Sequence, residues 1–148
     1  MRNLVRTSLI LLILTSLTAS AFSQSKDMLM GKWLTAEGDA QVQVYQKDGK
    51  FSGRIIWLKE PNDENGKLKL DDNNPDLSLS RRALIGIELL KGFSYVEEGV
   101  WEGGTIYDPK TGKTYSCKIS LMNKDKINVR GYVGISLLGR TEIWSRVR

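Results

Sequence analysis

The sequence predicts an all-β protein: a single antiparallel up-and-down barrel of about eight strands, with one long loop and little helix. Apolar and polar residues alternate with a period of two along most of the chain, and short turn sequences separate the alternating runs. Aromatic residues stand near both ends of this pattern, at Trp33 and Trp144. A barrel pairs its first strand with its last and so removes both exposed sheet edges. A two-sheet sandwich is the alternative that the same pattern leaves open.

The segment 1–23 has the features of a secretory signal peptide. Arg2 and Arg6 precede the apolar run 9–14, and small residues follow as far as Ser23, which allows cleavage before Gln24. The apolar run is too short to span a bilayer, and no later segment is long enough, so no transmembrane segment is expected. We therefore expect an exported protein, periplasmic or secreted, in which residues 24–148 form a single β-barrel domain.

The composition excludes several classes of function. Without the predicted signal peptide the net charge falls from +5 to +3, because that segment contains Arg2, Arg6 and no acid. Basic and acidic residues are interspersed, whereas a nucleic-acid-binding protein would carry a clustered basic face. The chain has no His, which excludes His-based triads and imidazole metal sites. Cys117 is the only cysteine, and its alternation with apolar residues predicts a buried, unreactive thiol.

The strands follow one another through short links, which favours antiparallel neighbours. Asp48 and Gly49 are suited to a hairpin turn between the second and third strands, since glycine accepts the positive φ of such turns. Pro109 and Gly112 indicate another turn. The predicted strands lie near 32–36, 40–47, 51–58, 84–91, 99–107, 113–122, 125–132 and 140–147.

One polar segment, 59–82, interrupts the series of strands. A connection of this length is commonly a lid, a binding loop or a helix packed over one end, and flexible filler is the alternative. Its oxygen-bearing residues Asp71, Asp72, Asn74 and Asp76 lack the spacing of an EF-hand calcium loop. We expect 74–76 to form a turn through side-chain-to-backbone hydrogen bonds and the fixed φ of Pro75, and we predict no metal site.

Three residues at the ends of the barrel are interpreted as closing it. Trp144 and Arg146 lie on one face of the last predicted strand, where a guanidinium can stack on an indole. Trp33 stands on the first strand. We expect all three to have a structural role.

Other aromatic and basic residues are candidates for ligand binding. Amphipathic rings suit both a core and a pocket, and converging arginines can bind a carboxylate or a phosphate. Core filling and solvated arginines are the alternatives. The candidates are Trp57, Arg81, Arg82, Trp101, Tyr107, Tyr115, Arg130, Tyr132 and Arg140.

Four blocks of sequence carry a resemblance to a known family. They are DNNPD at 72–76, GIELLKGF at 86–93, WEGGTIYDPKTGKTY at 101–115 and VRGYVGISLLGRTEIWSR at 129–146. Together they resemble the exported bacterial domain-of-unknown-function family 2147, a family name that implies no established activity. Gly31-x-Trp33 with a late basic residue also resembles the lipocalin-type barrels, in which a Trp and an Arg pack together at the closed end.

The sequence supports three hypotheses about function. The first is a non-enzymatic barrel that binds a small apolar or amphipathic ligand, with no cofactor and no catalytic residue assigned. The second is an envelope-associated interaction module that uses the rim loops or the apolar segment 135–138, with a protein or membrane partner that is unknown. The third is a hydrolase that works without His, through Asp, Tyr and Arg.

Overall fold

The protein is described here by a computed structural model that covers residues 25–148. The predicted signal peptide lies outside the described residues. The ordered elements are two short 3-10 helices and eight strands. They are, in chain order, Asp27–Leu29, β1 (Gly31–Leu34), β2 (Ala40–Lys47), β3 (Lys50–Leu58), β4 (Glu88–Glu97), β5 (Val100–Asp108), β6 (Lys113–Asn123), β7 (Lys126–Tyr132), Ser136–Leu138 and β8 (Gly139–Val147).

The strands form one closed barrel. Each strand pairs with the next in the chain, and β8 pairs antiparallel with β1. The predicted up-and-down barrel is confirmed, and the sandwich alternative is wrong. The turn at 48–49 also has the predicted geometry, since Asp48 and Gly49 have φ of 52° and 74°.

The two ends of the barrel differ. Loops 35–39, 59–87, 109–112 and 133–138 lie at one end, called here the open end. The short turns after β2, β4 and β6 and the helix Asp27–Leu29 lie at the other, the closed end. Large buried side chains fill the barrel toward the closed end: Leu29, Trp33, Phe51, Phe93 and Trp101.

Arg146 closes the barrel at the closed end. It is opposite Trp33 in the β1–β8 pairing, and its guanidinium lies 4.2 Å from the centre of the Trp33 ring. The guanidinium donates to the backbone carbonyls of Met28 (2.5 Å), Met30 (2.8 Å) and Lys124 (2.7 Å). Burial lowers the pKa of Arg146 despite the nearby Asp125. The stacking partner is therefore Trp33 on the first strand, as the lipocalin resemblance implied, and not Trp144, whose contact the alternation along the last strand had permitted.

The predicted fourth strand is misplaced. It was expected at 84–91 but runs Glu88–Glu97, so the long loop is 59–87. Residues 84–87 lie against β3 as loop: the Gly86 amide donates to the Ile55 carbonyl and the Ile55 amide to the Ile87 carbonyl. Gly92, which looks like a strand end in the sequence, has a φ of 71° inside β4. Strand β4 continues on both sides of this glycine because Lys91 and Ser94 both pair with β5.

A bulge in β3 changes the direction of its last side chains. Val42 pairs with Ile55, but the preceding Gln41 pairs with Trp57, so Ile56 is an extra residue in β3. An extra residue shifts all later side chains to the opposite face. Trp57 is consequently 40% exposed instead of sharing the inner face with Ile55.

Candidate functional site

A cavity of about 650 Å³ occupies the half of the barrel nearest the open end. An eight-stranded barrel is wide enough for filling side chains or for one small ligand, and here the large side chains fill only the closed half. The volume falls within the range of roughly 300–1,000 Å³ that is typical of small-molecule pockets. The barrel therefore contains a space of ligand size with an opening at one end.

The wall of the cavity is mainly apolar. Because side chains alternate along each strand, every second residue faces the interior, and most of the residues that do so around the cavity are apolar. The apolar lining residues within the barrel include Ala40, Val42, Ile55, Leu58, Leu84, Leu89, Ile106, Val129 and Trp144.

Strand β8 supplies a column of polar and aromatic groups to this wall. Arg140, Glu142 and Trp144 alternate on its inner face and all line the cavity. In the β7–β8 pairing Glu142 stands opposite the buried Val129, and Arg140 stands opposite Gly131, nearer the open end. The Trp144 indole N–H donates to Glu142 at 3.4 Å, and an Arg140 nitrogen lies 3.5 Å from the other Glu142 oxygen.

Both of these contacts to Glu142 are long for charge-assisted hydrogen bonds, which are normally about 2.7–2.9 Å. The Arg140 side chain is largely exposed. The carboxylate and the guanidinium therefore keep hydrogen-bonding capacity toward a molecule in the cavity.

Next to this column, β8 extends past the end of β1 toward the open end. Strand β1 is short and pairs only Lys32, Trp33 and Leu34 with β8. Residues 139–144 of β8 have no partner in β1, and loop 35–39 stands beside them across the cavity mouth.

An ion-pair cluster lies at the mouth. The Lys110 ammonium contacts Glu37 at 2.7 Å and Asp39 at 3.0 Å, which ties loop 35–39 to the turn between β5 and β6. These two hydrogen bonds raise the pKa of Lys110. Burial raises the pKa of Asp39, but hydrogen bonds from Thr35 and Lys110 outweigh it and hold that pKa below its usual value. Lys110 is thus engaged by the protein itself.

The long loop is held by a buried carboxylate, Asp71. Its Oδ2 accepts hydrogen bonds from Asn74 Nδ2 (2.7 Å) and Arg82 Nε (2.9 Å), and its Oδ1 accepts one from the Tyr107 hydroxyl (2.5 Å). A second Arg82 nitrogen lies 2.8 Å from Oδ2. Burying a carboxylate is costly unless it is paired and hydrogen-bonded, and here every bond goes to the loop or to β5. Asp71 therefore fastens the loop to the barrel wall.

Two of the candidate ligand-binding residues belong to this fastening. The Arg82 guanidinium lies 5.9 Å from the centre of the Tyr107 ring while it pairs with Asp71. Burial and the hydrogen bond to Asp71 raise the pKa of Tyr107 to about 12. Tyr107 also lines the cavity, so it links the loop to the site.

The loop also rests on the turn between β5 and β6. The Asn73 side chain donates to the carbonyls of Pro109 (3.2 Å) and Lys110 (3.1 Å). Gly112 has a φ of 72°, and a Cβ there would lie 1.9 Å from the Asn73 carbonyl oxygen. The predicted turn at 74–76 is present, with the Asp76 amide donating to Asn74 Oδ1 at 2.9 Å. A second cavity of about 510 Å³, lined by residues such as Leu68, Leu70 and Asp72, lies under this part of the loop.

The structure brings four of the nine candidate ligand-binding residues to the cavity. They are Tyr107, Tyr115, Tyr132 and Arg140.

The other five lie elsewhere. Trp57 and Arg81 are exposed, and Arg82 pairs with Asp71. Arg130 donates to the Thr141 hydroxyl at 2.7 Å and to the Leu137 carbonyl at 3.3 Å, beside the loop 133–138. Trp101 is completely buried, and its indole N–H has no acceptor among residues 25–148.

Glu142 was not among the residues predicted from the sequence, and Trp144 was assigned to barrel closure alone. Strand alternation carries the missing signal: Arg140, Glu142 and Trp144 are spaced two apart, so one inward residue predicts the other two. Lys110 gives no such signal, since its partners Glu37 and Asp39 are distant in the chain.

Cys117 is fully buried, and burial raises the pKa of its thiol to about 12. Within the described part of the chain, no group of three or more Cys, Asp or Glu side chains is arranged to hold a metal ion. In the same residues, no helix has the length and apolar character needed to cross a membrane.

Comparisons with known proteins agree with this architecture. A solved structure described as "Protein HP1028 from the human pathogen Helicobacter pylori belongs to the lipocalin family" is similar to this chain, with a TM-score of 0.72 and 25% sequence identity. The similarity covers 81% of this chain and 83% of that chain, which confirms the lipocalin-like barrel. No curated protein matches the chain. Residues 31–146 match the model of a family described as "Uncharacterized protein conserved in bacteria (DUF2147)", and the chain therefore belongs to this family.

Proposed function

We propose that the protein binds one small molecule with an apolar body and a polar end inside its barrel, without catalysing a reaction. The observation that carries this proposal is the apolar cavity of about 650 Å³ that opens between the loops. Apolar walls with a few well-placed polar groups are characteristic of ligand pockets.

The cavity suggests how the ligand lies. Its apolar body fits against Val42, Ile55 and Trp144, and its polar end fits at the level of Glu142 and Arg140. A guanidinium binds an acidic head group and a carboxylate binds a hydroxyl or an amine. The lipocalin assignment of the H. pylori neighbour is compatible with a ligand in the barrel.

The available chemistry favours binding over catalysis. A thiolate is the nucleophilic form of cysteine, and burial disfavours it at Cys117 by raising the pKa of the thiol to about 12. Lys110 is held by Glu37 and Asp39, and Tyr107 by Asp71. The cavity groups left for a ligand therefore include the phenols of Tyr115 and Tyr132, together with Arg140 and Glu142.

A dye-displacement experiment tests the proposal. An apolar fluorescent dye, N-phenyl-1-naphthylamine, is bound to the protein and displaced by dodecanol, dodecanoate or dodecylamine, which share one chain and differ in the polar end. The blocking variant is Gly131→Phe. A Cβ at Gly131 would stand 3.4 Å from Ile106 and 3.6 Å from Tyr115, an ordinary contact, so the ring extends into the cavity. The control is Ser116→Phe, which adds the same ring at an exposed position on β6.

We expect the protein and Ser116→Phe to bind the dye equally, and Gly131→Phe to bind it at least about tenfold more weakly, a difference of about 1.4 kcal/mol. All three 12-carbon compounds should displace the dye. Equal binding by Gly131→Phe and Ser116→Phe, or no binding of any probe, would refute a ligand site in the barrel.

We further propose that the protein acts outside the cytoplasm, on the basis of the signal-peptide features of residues 1–23. Determination of the N-terminus of the protein isolated from its native cells tests this. An N-terminus at Gln24 is expected, and an uncleaved N-terminus in the cytoplasmic fraction would contradict it.

A further inference from the structure

The loop between β7 and β8, residues 133–138 and here called the mouth loop, exposes an unusual amount of apolar surface. Val133 is 70% exposed, Ile135 58%, Leu137 82% and Leu138 76%. Single exposed apolar residues are common on protein surfaces, but a contiguous exposed group marks an interaction site. Four such side chains within six residues, at the open end of the barrel, form such a group.

The charged residues that flank the mouth loop in the chain are both basic. Residues 131–139 contain no charged residue, and Arg130 and Arg140 stand at the two ends of this stretch. Arg130 donates to the Leu137 carbonyl, so its guanidinium lies at the base of the loop. Arg140 is highly exposed, with Glu142 3.5 Å away. An apolar tip with basic flanks complements a bilayer surface that contains anionic lipids.

The size of the mouth loop favours a bilayer over a folded protein partner. A stable protein–protein interface buries about 800 Å² per partner and about 20–30 residues on each side. Six residues are far fewer than this. A membrane interface is fluid and does not need a partner surface of complementary shape. Apolar side chains enter the boundary between head groups and acyl chains to a depth of about 5–10 Å.

We propose that the mouth loop docks the protein on the surface of a bilayer containing anionic phospholipids, with the open end of the barrel facing the membrane. Leu137 and Leu138 enter the interface, and Arg130 and Arg140 lie at the level of the phosphates. Val133 and Leu138 also line the cavity. When the protein is docked, the mouth of the cavity therefore faces the lipid. The docking does not depend on the proposed function, but any passage of a ligand between the bilayer and the cavity does.

Vesicle sedimentation tests the docking. The protein without the predicted signal peptide, residues 24–148, is mixed with phosphatidylcholine vesicles that contain or lack phosphatidylglycerol. The test variant is Leu137→Asp with Leu138→Asp. The matched control is Val96→Asp with Met122→Asp, which changes two exposed apolar residues at the closed end of the barrel. Thermal unfolding of each variant verifies that it folds.

A spectroscopic readout locates the contact. Ile135→Cys and, as its control, Met122→Cys are labelled with an environment-sensitive nitrobenzoxadiazole dye. Because Cys117 is fully buried, the dye reacts at the introduced cysteine.

We expect binding to the anionic vesicles to fall about tenfold or more in the Leu137/Leu138 variant and to stay unchanged in the control. The dye at position 135 should shift to shorter emission wavelengths on vesicle addition, and the dye at 122 should not. Either of two results overturns the proposal: equal binding by the two double variants, which would assign binding to another part of the chain, or an unshifted dye at 135. If the protein binds the vesicles as expected but no 12-carbon compound displaces N-phenyl-1-naphthylamine from the barrel, the ligand site is refuted and the docking is not.

Discussion

Asp71 provides the sharpest test of how the long loop is held. We consider Asp71→Asn, which keeps the shape of the side chain and removes its charge. Asp71 is fully buried and pairs with Arg82 at 2.8 Å, while the Arg82 side chain is 36% exposed. The neighbouring Asp72 is exposed, so Asp72→Asn is a control that makes the same change one residue away.

The expected cost follows from the environment of this pair. Breaking a fully buried ion pair costs about 3–5 kcal/mol, whereas an exposed pair contributes about 0–1 kcal/mol. With one partner buried and the other partly exposed, we expect Asp71→Asn to lower the free energy of unfolding by about 2 kcal/mol. Asp71→Leu should cost about 4 kcal/mol or more, because it also leaves the donors of Asn74 and Tyr107 without an acceptor.

Urea unfolding followed by tryptophan fluorescence measures these values. Limited proteolysis gives a local readout, since release of the loop from β5 should expose 59–87 to cleavage before the barrel unfolds. The two variants should therefore differ in their rate of proteolysis. We expect Asp71→Asn to be cleaved faster within the loop, and Asp72→Asn to be cleaved at the rate of the original protein. If Asp71→Asn stays within about 0.5 kcal/mol of Asp72→Asn and its loop is equally resistant, Asp71 does not anchor the loop.

Two further predictions concern the closed end and the buried thiol. Arg146→Lys keeps a positive charge but cannot reach all three carbonyls that Arg146 binds, so we expect the free energy of unfolding in urea to fall by about 2 kcal/mol. The control is Arg148→Lys, which changes an exposed arginine paired with Asp125. Equal stabilities of the two variants would contradict the closure role of Arg146. Stability should also fall as the pH rises from 9 to about 12, because the folded protein keeps the Cys117 proton that the unfolded chain loses above its pKa of 9.0. In this range Cys117→Ala should make the fall in the free energy of unfolding with pH less steep, by about 1.4 kcal/mol per pH unit. Tyr45 and Tyr107 also have pKa values raised to about 12. They affect the slope equally in the original protein and in Cys117→Ala, so the difference between the two slopes reports on Cys117. An unchanged slope would show that the thiol is not the group responsible.

Local pattern was sufficient to predict most of the barrel. Alternation along β2, β6 and β7 identifies the inward residues, because each strand turns successive side chains to opposite faces. The turn at Asp48 and Gly49 is equally local, since it depends on the φ that these two residues accept. Trp33 near the first strand and Arg146 in the last indicated that the two ends meet.

Predictions failed where a single residue changes the register. The extra Ile56 in β3 turns Trp57 outward, and Gly92 lies inside β4 rather than at its end. Nothing in a window of a few residues distinguishes a glycine that ends a strand from one that forms an irregularity within it. The pairing partner decides, and in β4 that partner is β5.

The roles of the charged residues depended on contacts between distant parts of the chain. Arg82 and Tyr107 were candidates for ligand binding, but a buried acid 11 residues from one and 36 from the other holds them both. Alternation along the last strand permitted a contact between Arg146 and Trp144, but the β1–β8 pairing brings Arg146 to Trp33.

The amino-acid sequence by itself determined the barrel, the order of its strands and the family, because periodicity, turn residues and sequence blocks are properties of short segments. Only the tertiary structure decided that half of the barrel is hollow. Whether an interior is filled depends on the sum of side-chain volumes from eight strands at the same level, and no segment contains that sum. The same holds for the polar column of β8 and the exposed mouth loop, whose surroundings come from strands and loops far away in the chain.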